Sequence, residues 1–487
     1  MLFNSVFFII VFLPLSMIGW FLLQRLEKPV FAKIFLVGMS FWFYGYYNVS
    51  YLWILSFSML MNFGFSILFD KVKRFGSRRV LLIVSVMGNL GLLFYFKYFN
   101  FFIDNCNYFF HTDITIERIA LPLGISFFTF QQLSYIVDLY WKKTVHYKWW
   151  DYACYISFFP QLIAGPIVHH QDFCPQLLER KNRRVKAENL FDGFALFILG
   201  LAKKVLLADT LAIVVNAEFN NIHALDAVAA WITIICFTLE LYFDFSGYCD
   251  MARGIGKMFG FNLPENFHSP LMATSVRDFW HRWHMTLTAF FTSYIYIPLG
   301  GNRKGTPRKL LNLMIVFAVS GLWHGANWTF VIWGLLNGLA IVWENLFPKL
   351  RFKLEWLNRV FTFGFTVMAF AIFRSNSLQD ALLLFKKLFT GGWNGMLFGM
   401  SNVLLIPENY VIRQGLEVLL PSALNMMYLA TLLLPMIIGV RLIRGKRAEE
   451  WIKEKGRSTI GLIVLASLFV WSFVSLSQVS TFLYFNF

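Results

Sequence analysis

The sequence predicts an all-α, polytopic membrane protein that forms one membrane domain over residues 1–487 and has no soluble domain. Three observations predict this class. Of the residues, 58% are hydrophobic and only 14% are charged, whereas about a quarter of the residues of a soluble protein carry charge. Apolar runs long enough to cross a bilayer recur along the whole chain. The 57 Phe and 17 Trp residues favour bulky packing around an internal cavity.

About twelve apolar runs approach the roughly 20 residues that a transmembrane helix needs. They lie near 3–23, 31–47, 49–69, 80–97, 119–140, 190–214, 228–246, 310–325, 327–346, 357–373, 423–442 and 459–477. The first run has no basic segment before it and no small-residue cleavage site after it. We therefore expect it to be a retained helix rather than a signal peptide.

Basic clusters between these runs set the orientation of the chain. They lie at Lys71–Arg79, Arg180–Lys186, Arg303–Lys309, Lys349–Lys353 and Arg441–Arg457. Cytoplasmic loops of membrane proteins collect Lys and Arg, and this accounts for the net charge of +16 without a nucleic-acid partner. Placing all five clusters in the cytoplasm puts both termini outside.

Each span carries the chain to the other side of the membrane. The basic clusters all fall in the cytoplasm only if two further segments enter and leave the membrane on the same side. One is 152–168, which is interrupted by Pro160, Gly165 and Pro166, and the other spans about 267–299. Broken helices at membrane depth are tolerated only where protein buries them or where they line a cavity. The sequence therefore predicts two re-entrant segments and an internal tunnel.

The segment "GLWHGANW" places an ionisable ring, His324, at the end of the run 310–325. The tryptophans Trp323 and Trp328 supply flat apolar walls, and Asn327 follows as a polar neighbour. Ionisable residues inside membrane spans are costly and are functional candidates by default. Burial favours the neutral imidazole, which is the form that a general base needs. The alternative is a structural histidine that bonds a neighbouring helix.

A second pair of histidines, His281 and His284, lies in "DFWHRWHMTL". A spacing of three places them near one another on a helix. A zinc site needs a third and a fourth ligand, and no matching motif is present. The segment also holds Trp280 and Trp283 and is too polar for a plain span, so it fits the wall of a cavity.

Other titratable groups leave two interpretations open. Glu240, Asp244 and Asp250 precede Arg253 and Lys257, and the first two stand four residues apart. This pattern fits either a proton relay or a buried charge network that fixes helix register. The cluster "HHQDFC" (169–174) has the residue types of a metal site. Its place after the first predicted re-entrant segment favours a solvated interfacial turn. The five cysteines have no disulfide or zinc spacing.

Six motifs follow one another along the chain. They are "LPLGISFFTFQQLSYIVDLY", "LYFDFSGYCDMARGIG", "DFWHRWHMTL", "YIPLGGNRKG", "GLWHGANWTFVIWGLLNG" and "IFRSNSL". Together they resemble the membrane-bound O-acyltransferase (MBOAT) family, and in particular its bacterial branch that includes the alginate O-acetyltransferases. The resemblance covers nearly the whole chain. It implies a helical fold with a tunnel across the membrane.

The resemblance also implies site residues. The histidine of "WHG", here His324, is the essential catalytic residue of the family, and the histidine of "RWH", here His284, is its second active-site histidine. Trp323, Asn327, Trp328, Trp280 and Trp283 would then line the tunnel. His281 and Glu240 depart from the family pattern, since relatives often carry Arg and an amide at these positions.

The function implied is O-acetylation of an extracellular or periplasmic polysaccharide at the bacterial inner membrane. Acetyl-CoA would donate the acetyl group from the cytosol, with no cofactor and no metal, and a secreted or membrane-anchored acetyltransferase- or esterase-like partner would act outside. D-alanyl or other acyl transfer to teichoic acid or peptidoglycan is an alternative. A transporter is a second alternative, although the paired repeats typical of transporters are missing.

The segment "TFLYFNF" (481–487) holds a further candidate, Tyr484. Its pattern of aromatic residues is similar to the acceptor motif of the small peptide partner in teichoic-acid D-alanylation. By this analogy, the Tyr484 hydroxyl receives the acyl group before a partner protein does. The alternative is an aromatic anchor at the membrane interface.

Overall fold

Helices build almost the whole chain. The computed structural model describes residues 1–26, 29–179, 184–392, 395–478 and 483, and within these ranges no β-strand occurs. The predicted all-α class is confirmed. Tyr484 and the other residues of 484–487 lie outside the described residues.

The first part of the chain carries the helices that precede the "LYFDFSG" motif. They are α1 (Leu13–Arg25), α2 (Pro29–Gly45), α3 (Ser50–Lys71), α4 (Phe75–Leu93), α5 (Phe99–Phe110), α6 (Ile125–Tyr140), α7 (Trp149–Ser157), α8 (Phe159–Leu162), α9 (His170–Leu178), α10 (Ala187–Ala202) and α11 (Asp209–Phe219).

The remaining helices carry the histidine motifs and the segments after them. They are α12 (Ala227–Met258), α13 (Val276–Arg282), α14 (Met285–Phe291), α15 (Gly305–His324), α16 (Trp328–Leu346), α17 (Glu355–Arg374), α18 (Leu378–Thr390), α19 (Met396–Ser401), α20 (Tyr410–Leu419), α21 (Leu424–Arg444), α22 (Ala448–Trp451) and α23 (Thr459–Val474). The wider π-helical turns lie at Phe8–Phe12, Phe94–Tyr98, Lys203–Ala208, Thr292–Tyr296 and Ile452–Gly456.

Seven helices among the described residues are long and apolar enough to cross a membrane by length and composition. They are Phe8–Arg25, Ser50–Lys71, Phe75–Phe110, Ala227–Met258, Trp328–Leu346, Glu355–Arg374 and Pro421–Arg444. Two shorter apolar helices, α2 and α23, coincide with further predicted spans. The remaining predicted spans correspond to α6, α10 with α11, and α15. A multi-pass membrane protein is confirmed, while the count of about twelve crossings stays a prediction.

The two segments predicted to be re-entrant are both irregular. In the first, α7 ends at Ser157, the short helix α8 follows, and every residue of 152–168 is buried. In the second, α13 and α14 are separated by two residues, and a π-helical turn follows α14. Because broken backbone needs partners within the protein, this burial fits the physical reason for the prediction. Their depth in a membrane stays a prediction.

Two compact units make up the chain, and the first comprises residues 1–197, 252–265 and 286–298. Within it, α2 packs on α1 and α7, and α6 packs on α3 and α4. The second unit comprises 198–251, 266–285 and 299–487. The single membrane domain remains a prediction.

Close backbone contact between α15 and α16 organises the second unit. A Cβ atom at Gly321 would lie 2.4 Å from the carbonyl oxygen of Phe330, and one at Gly334 would lie 2.4 Å from that of Phe317. Glycine is therefore required at both positions for the two helices to approach this closely. The contact fixes the last turn of α15, which ends at His324.

Candidate active site

His324 ends α15 and is 3% exposed. Its Nδ1 atom lies 2.7 Å from the carbonyl oxygen of Ser320, one helical turn earlier. A carbonyl only accepts hydrogen bonds, so Nδ1 carries the proton and Nε2 is the basic nitrogen of the neutral ring. The sequence placed this histidine at a helix end, and the hydrogen bond assigns its tautomer.

Aromatic rings enclose the His324 imidazole. The centroids of Trp323 and Trp333 each lie 4.9 Å from that of His324, and the centroid of Phe373 lies at 5.6 Å. Trp323 and Trp333 are 4% and 1% exposed. Walls of this kind exclude water from the ring. Sequence reasoning missed Trp333 and Phe373, because only the fold brings α16 and α17 to this ring.

His284 occupies the break between α13 and α14 and is fully buried. It adopts a left-handed backbone conformation with φ of 45°, which costs a non-glycine residue roughly 1–2 kcal/mol. The prediction that it shares a helix with His281 is wrong, because α13 ends at Arg282 and the chain turns. His281 is exposed. Strain held at one buried ionisable residue is a common sign of a functional site.

Asn266 holds the imidazole of His284 in place. The Nδ1 atom of His284 lies 3.2 Å from Asn266 Oδ1, and the main-chain N–H of Met285 donates to the Asn266 carbonyl oxygen at 3.0 Å. The rings of Phe245 and Trp323 lie 4.8 and 6.1 Å from that of His284. The Trp323 ring therefore contacts both histidines, and the structure brings the two predicted catalytic residues to one tryptophan.

The predicted tunnel-wall residues fall into two groups. Trp280 and Trp283 are 6% and 2% exposed, and the Trp280 Nε1 atom donates to Asn337 Oδ1 at 3.1 Å. Trp328 instead exposes 45% of its surface at the start of α16. Asn327 caps that helix by accepting from the Thr329 N–H. A continuous tunnel between these residues stays a prediction.

A polar cavity of about 390 Å³ adjoins the His324 surroundings. It is lined by Lys204, Ala208, Asp209, Ala212, Asn216, Glu240, Asp244, Asn327, Phe330, Phe373, Arg374, Ser375, Asn376 and Leu483. Phe373 is shared between the cavity and the aromatic shell of His324. The volume of the cavity lies within the range of about 300–1,000 Å³ that small-molecule sites occupy.

Buried charges on the cavity wall belong to a network. Lys204 lies 2.6 Å from carboxylate oxygens of both Asp209 and Asp244, and Lys203 pairs with Asp250 at 2.6 Å. The main-chain N–H of Leu483 donates to Asp244 Oδ2 at 2.9 Å. Asp244 is therefore part of a buried charge network, and its cation comes from the π-helical turn after α10 rather than from its own helix. A role of this network in fixing helix register stays a prediction.

The "HHQDFC" segment was expected to be a solvated turn, and this expectation is wrong. His170 is fully buried, with Nε2 3.0 Å from Asp138 Oδ2 and Nδ1 3.0 Å from the Tyr147 hydroxyl. Tyr294 donates to the same Asp138 oxygen at 2.9 Å. The cost of burying the carboxylate is offset by these hydrogen bonds. Asp138 is distant in sequence, so no local pattern could reveal the pair.

Metal ligands do not gather at the candidate site. Within the part of the chain that the structure describes, no group of three or more His, Cys, Asp or Glu side chains could hold a metal ion. All five cysteines lie within the described residues, and none of them forms a disulfide.

The long apolar helices and the buried histidines beside a polar cavity define a multi-pass membrane protein with an enclosed candidate reaction site. The model of the MBOAT, membrane-bound O-acyltransferase family, matches residues 142–377, which include both histidines. The chain belongs to this family and is an O-acyltransferase.

Three relatives represent two kinds of acyltransferase, O-acetyltransferases and a D-alanyltransferase. The chain is 39% identical over 432 residues to the peptidoglycan O-acetyltransferase of Helicobacter pylori, with 81% of each chain covered. It is 36% identical over 407 residues to the probable alginate O-acetylase AlgI of Pseudomonas aeruginosa, covering 80% of this chain and 75% of the relative. The teichoic acid D-alanyltransferase of Bacillus subtilis is 26% identical over 272 residues, which cover 52% and 68%.

Proposed function

We propose that this enzyme moves an acetyl group from cytosolic acetyl-CoA across the membrane, for the O-acetylation of an extracellular or periplasmic polysaccharide. The names of the relatives support acetyl transfer to a cell-envelope polymer. The acyl donor is made in the cytosol and the polymer lies outside, so the reaction needs a passage through the protein. We place the enzyme in the bacterial inner membrane with both termini outside, following the basic loops.

The observation that carries the mechanism is the hydrogen bond from His324 Nδ1–H to the Ser320 carbonyl oxygen. It leaves Nε2 as the unprotonated nitrogen, which supports the proposal that Nε2 removes the proton of the acceptor hydroxyl. The hydroxyl oxygen then attacks the thioester carbonyl carbon, the C–S bond breaks, and the proton passes from His324 to the leaving sulfur. The products are the acetyl ester and free CoA, and His324 returns to its starting state.

His284 serves the other half of the reaction. We propose that its imidazole orients the thioester carbonyl or stabilises the negative charge that develops on the carbonyl oxygen. Asn266 and the fixed backbone hold the imidazole in one position. Because Asn266 Oδ1 accepts from Nδ1–H, the ring donates to the carbonyl oxygen only in its doubly protonated form, in which Nε2 also carries a proton. General-base catalysis contributes about 10²–10⁴-fold, and holding both substrates in line contributes more.

Acetyl-CoA turnover by purified protein in nanodiscs tests this proposal. We expect His324→Ala to abolish release of free thiol and transfer of the acetyl group, while His281→Ala, an exposed neighbour of the second histidine, retains both. Thermal unfolding followed by tryptophan fluorescence shows whether each variant folds. A folded His324→Ala protein that still acetylates its acceptor would exclude His324 as the base.

A second candidate function is transfer of D-alanine, which the name of the Bacillus subtilis relative favours. The two functions share the histidine chemistry and differ in the donor. Supplying wild-type membranes with acetyl-CoA in one assay and a D-alanyl thioester in another separates them, because only the true donor supports His324-dependent ester formation. Transport of solute without thioester turnover would favour a transporter instead.

A further inference from the structure

The short helix α13 depends on α16 at its first turn. The carboxylate of Glu344 in α16 accepts hydrogen bonds from the main-chain N–H groups of Val276 at 2.6 Å and of Arg277 at 3.1 Å. The Ser275 hydroxyl oxygen accepts the next N–H, that of Asp278, at 3.0 Å. The first N–H groups of a helix have no partner within the helix. One side chain that is distant in sequence therefore satisfies two of them in α13.

The two hydrogen bonds to Glu344 are of a strong kind. A carboxylate at the start of a helix makes charge-assisted bonds to the N–H groups and meets the positive end of the helix dipole. Glu344 is partly buried, so water competes less for its oxygens. Because α13 has only seven residues, it is not stable as a helix without contacts of this kind.

The other end of α13 leads into the break that holds His284. The main-chain N–H of His268 donates to the Arg282 carbonyl oxygen at 2.9 Å, and that of Met285 donates to the Asn266 carbonyl oxygen at 3.0 Å. These bonds tie the segment before α13 to the residues on both sides of His284. The helix is thus held by α16 at its start and by these bonds after its end, so a shift of its start is passed on to His284.

One face of α16 reaches the other histidine as well. The Trp333 ring lies against that of His324, with centroids 4.9 Å apart. Asn337, one turn later, accepts from Nε1 of Trp280 in α13 at 3.1 Å, and Glu344 follows two turns after that. At about 100° per residue, positions 333, 337 and 344 fall within about 40° of one another around the helix. A single helix therefore sets where α13 lies relative to His324.

We propose that Glu344 is a positioning residue, which places His284 for reaction by holding the start of α13. The inference rests on the proposed function, in which the His284 imidazole meets the thioester carbonyl. Glu344 acts through α13 and needs no contact with either substrate. A misplacement of about 1 Å can lower a catalysed rate about 10²-fold. The effect of Glu344 on catalysis should therefore depend on the presence of His284.

Hydrogen-exchange mass spectrometry on the full chain in nanodiscs, resolved to single residues by fragmentation, tests this contact without any acyl donor. Glu344→Leu removes both acceptor oxygens, so we expect the Val276 and Arg277 amides to exchange about ten- to hundredfold faster. The Met285 amide, which lies next to His284, should also exchange faster. Glu344→Gln keeps one acceptor oxygen, should show the same changes to a smaller degree, and serves as the test if Glu344→Leu does not fold.

Thiol release from acetyl-CoA measures the consequence for catalysis. We expect Glu344→Gln to lower kcat about tenfold in the wild-type chain and less than about twofold in a His284→Asn background, because the position of the ring no longer matters once the ring is absent. A residue that only stabilises the fold would lower kcat by the same factor in both backgrounds.

Glu355→Gln is the matched control. Glu355 is an exposed carboxylate at the start of α17 and pairs with Arg359 in its own helix. Its replacement should change neither the exchange of the α13 amides nor kcat.

Two results would overturn the positioning role: unchanged exchange at Met285 in both Glu344 variants, or an equal fall in kcat with and without His284. The exchange measurement contains no acetyl-CoA, so it separates this inference from the acetyl transfer on which it rests. Faster exchange at Met285 together with no acetyl-CoA turnover by the wild type would support the hold of Glu344 on His284 and refute the acetyl transfer.

Discussion

At the scale of single residues, the two histidines are held by different means. His324 is oriented by a carbonyl of its own helix, so its tautomer follows from helix geometry alone. His284 depends on a side chain, Asn266, and on a backbone conformation that most residues avoid. A base that moves a proton needs a fixed tautomer, whereas a group that stabilises charge needs a fixed position.

Replacing His284 by asparagine separates its chemical role from its structural role. Asparagine tolerates a positive φ, so His284→Asn should fold. We expect kcat to fall about 10²–10³-fold, as when one donor to a developing oxyanion is removed. The measurement is thiol release under saturating acetyl-CoA, with His281→Asn as the control. A kcat within a few-fold of the wild type would assign His284 a purely structural role.

Tyr484 offers a second test at this scale. It lies outside the described residues, but Leu483 directly before it lines the cavity and is bonded to Asp244. If Tyr484 relays the acyl group, Tyr484→Phe loses the nucleophile and surface O-acetylation falls to the level of a deletion strain. Mass spectrometry of surface glycans measures this, and Tyr410→Phe, an exposed tyrosine of α20, is the control. Full surface acetylation by the Tyr484→Phe variant would exclude Tyr484 as the residue that relays the acyl group.

At the scale of secondary structure, the close pairing of α15 and α16 positions His324. A methyl group at residue 321 would overlap the Phe330 carbonyl, a backbone atom that cannot turn aside. Gly321→Ala should therefore lower the free energy of unfolding by about 1–3 kcal/mol. It should also displace His324 and reduce thiol release.

The control for that substitution is Gly364→Ala in α17, where an added Cβ meets nothing within 4 Å. Alanine is the better helix former, so this variant should be as stable as the wild type or slightly more stable. Thermal unfolding in detergent compares the two. Equal melting temperatures for Gly321→Ala and Gly364→Ala would show that α15 and α16 have room to separate.

The junction of α6 and α9 depends on a buried carboxylate. Asp138→Asn removes the charge that His170 and Tyr294 share, and breaking a buried pair costs about 3–5 kcal/mol. We expect a large fall in melting temperature. Asp104→Asn is the control, because its ion pair with Arg118 is exposed and contributes little to stability. Equal falls in melting temperature for Asp138→Asn and Asp104→Asn would contradict the expectation that the buried pair stabilises the protein more than the exposed one.

The sequence predicted where helices form better than it predicted which distant residues contact one another. Hydropathy located the long apolar helices, because this signal is local. The pairs Asp138 with His170 and Lys204 with Asp244 join distant segments, so spacing could not show them. His284 was misplaced on a helix because no glycine or proline marks the break after α13.

At the scale of the whole molecule, the orientation of the chain in the membrane is a prediction from its basic loops. The loop near Asp113 is predicted outside and the loop at Lys304 inside. In a Cys106→Ser background, an impermeant maleimide should label Asp113→Cys in intact spheroplasts and Lys304→Cys only after permeabilisation. The four other cysteines are buried, so the maleimide should not label them. Labelling with the opposite sidedness would invert the topology and place the donor and the acceptor on the wrong sides.

The left-handed backbone at His284 has a consequence for evolution of this chain. Glycine would adopt φ of 45° without strain, so His284→Gly should relieve about 1 kcal/mol while removing the imidazole. We therefore expect selection for thermal tolerance to favour glycine at position 284 and selection for catalysis to favour histidine. A variant library passed through heat challenge alone should enrich glycine at position 284, and the same library selected for polymer acetylation should purge it.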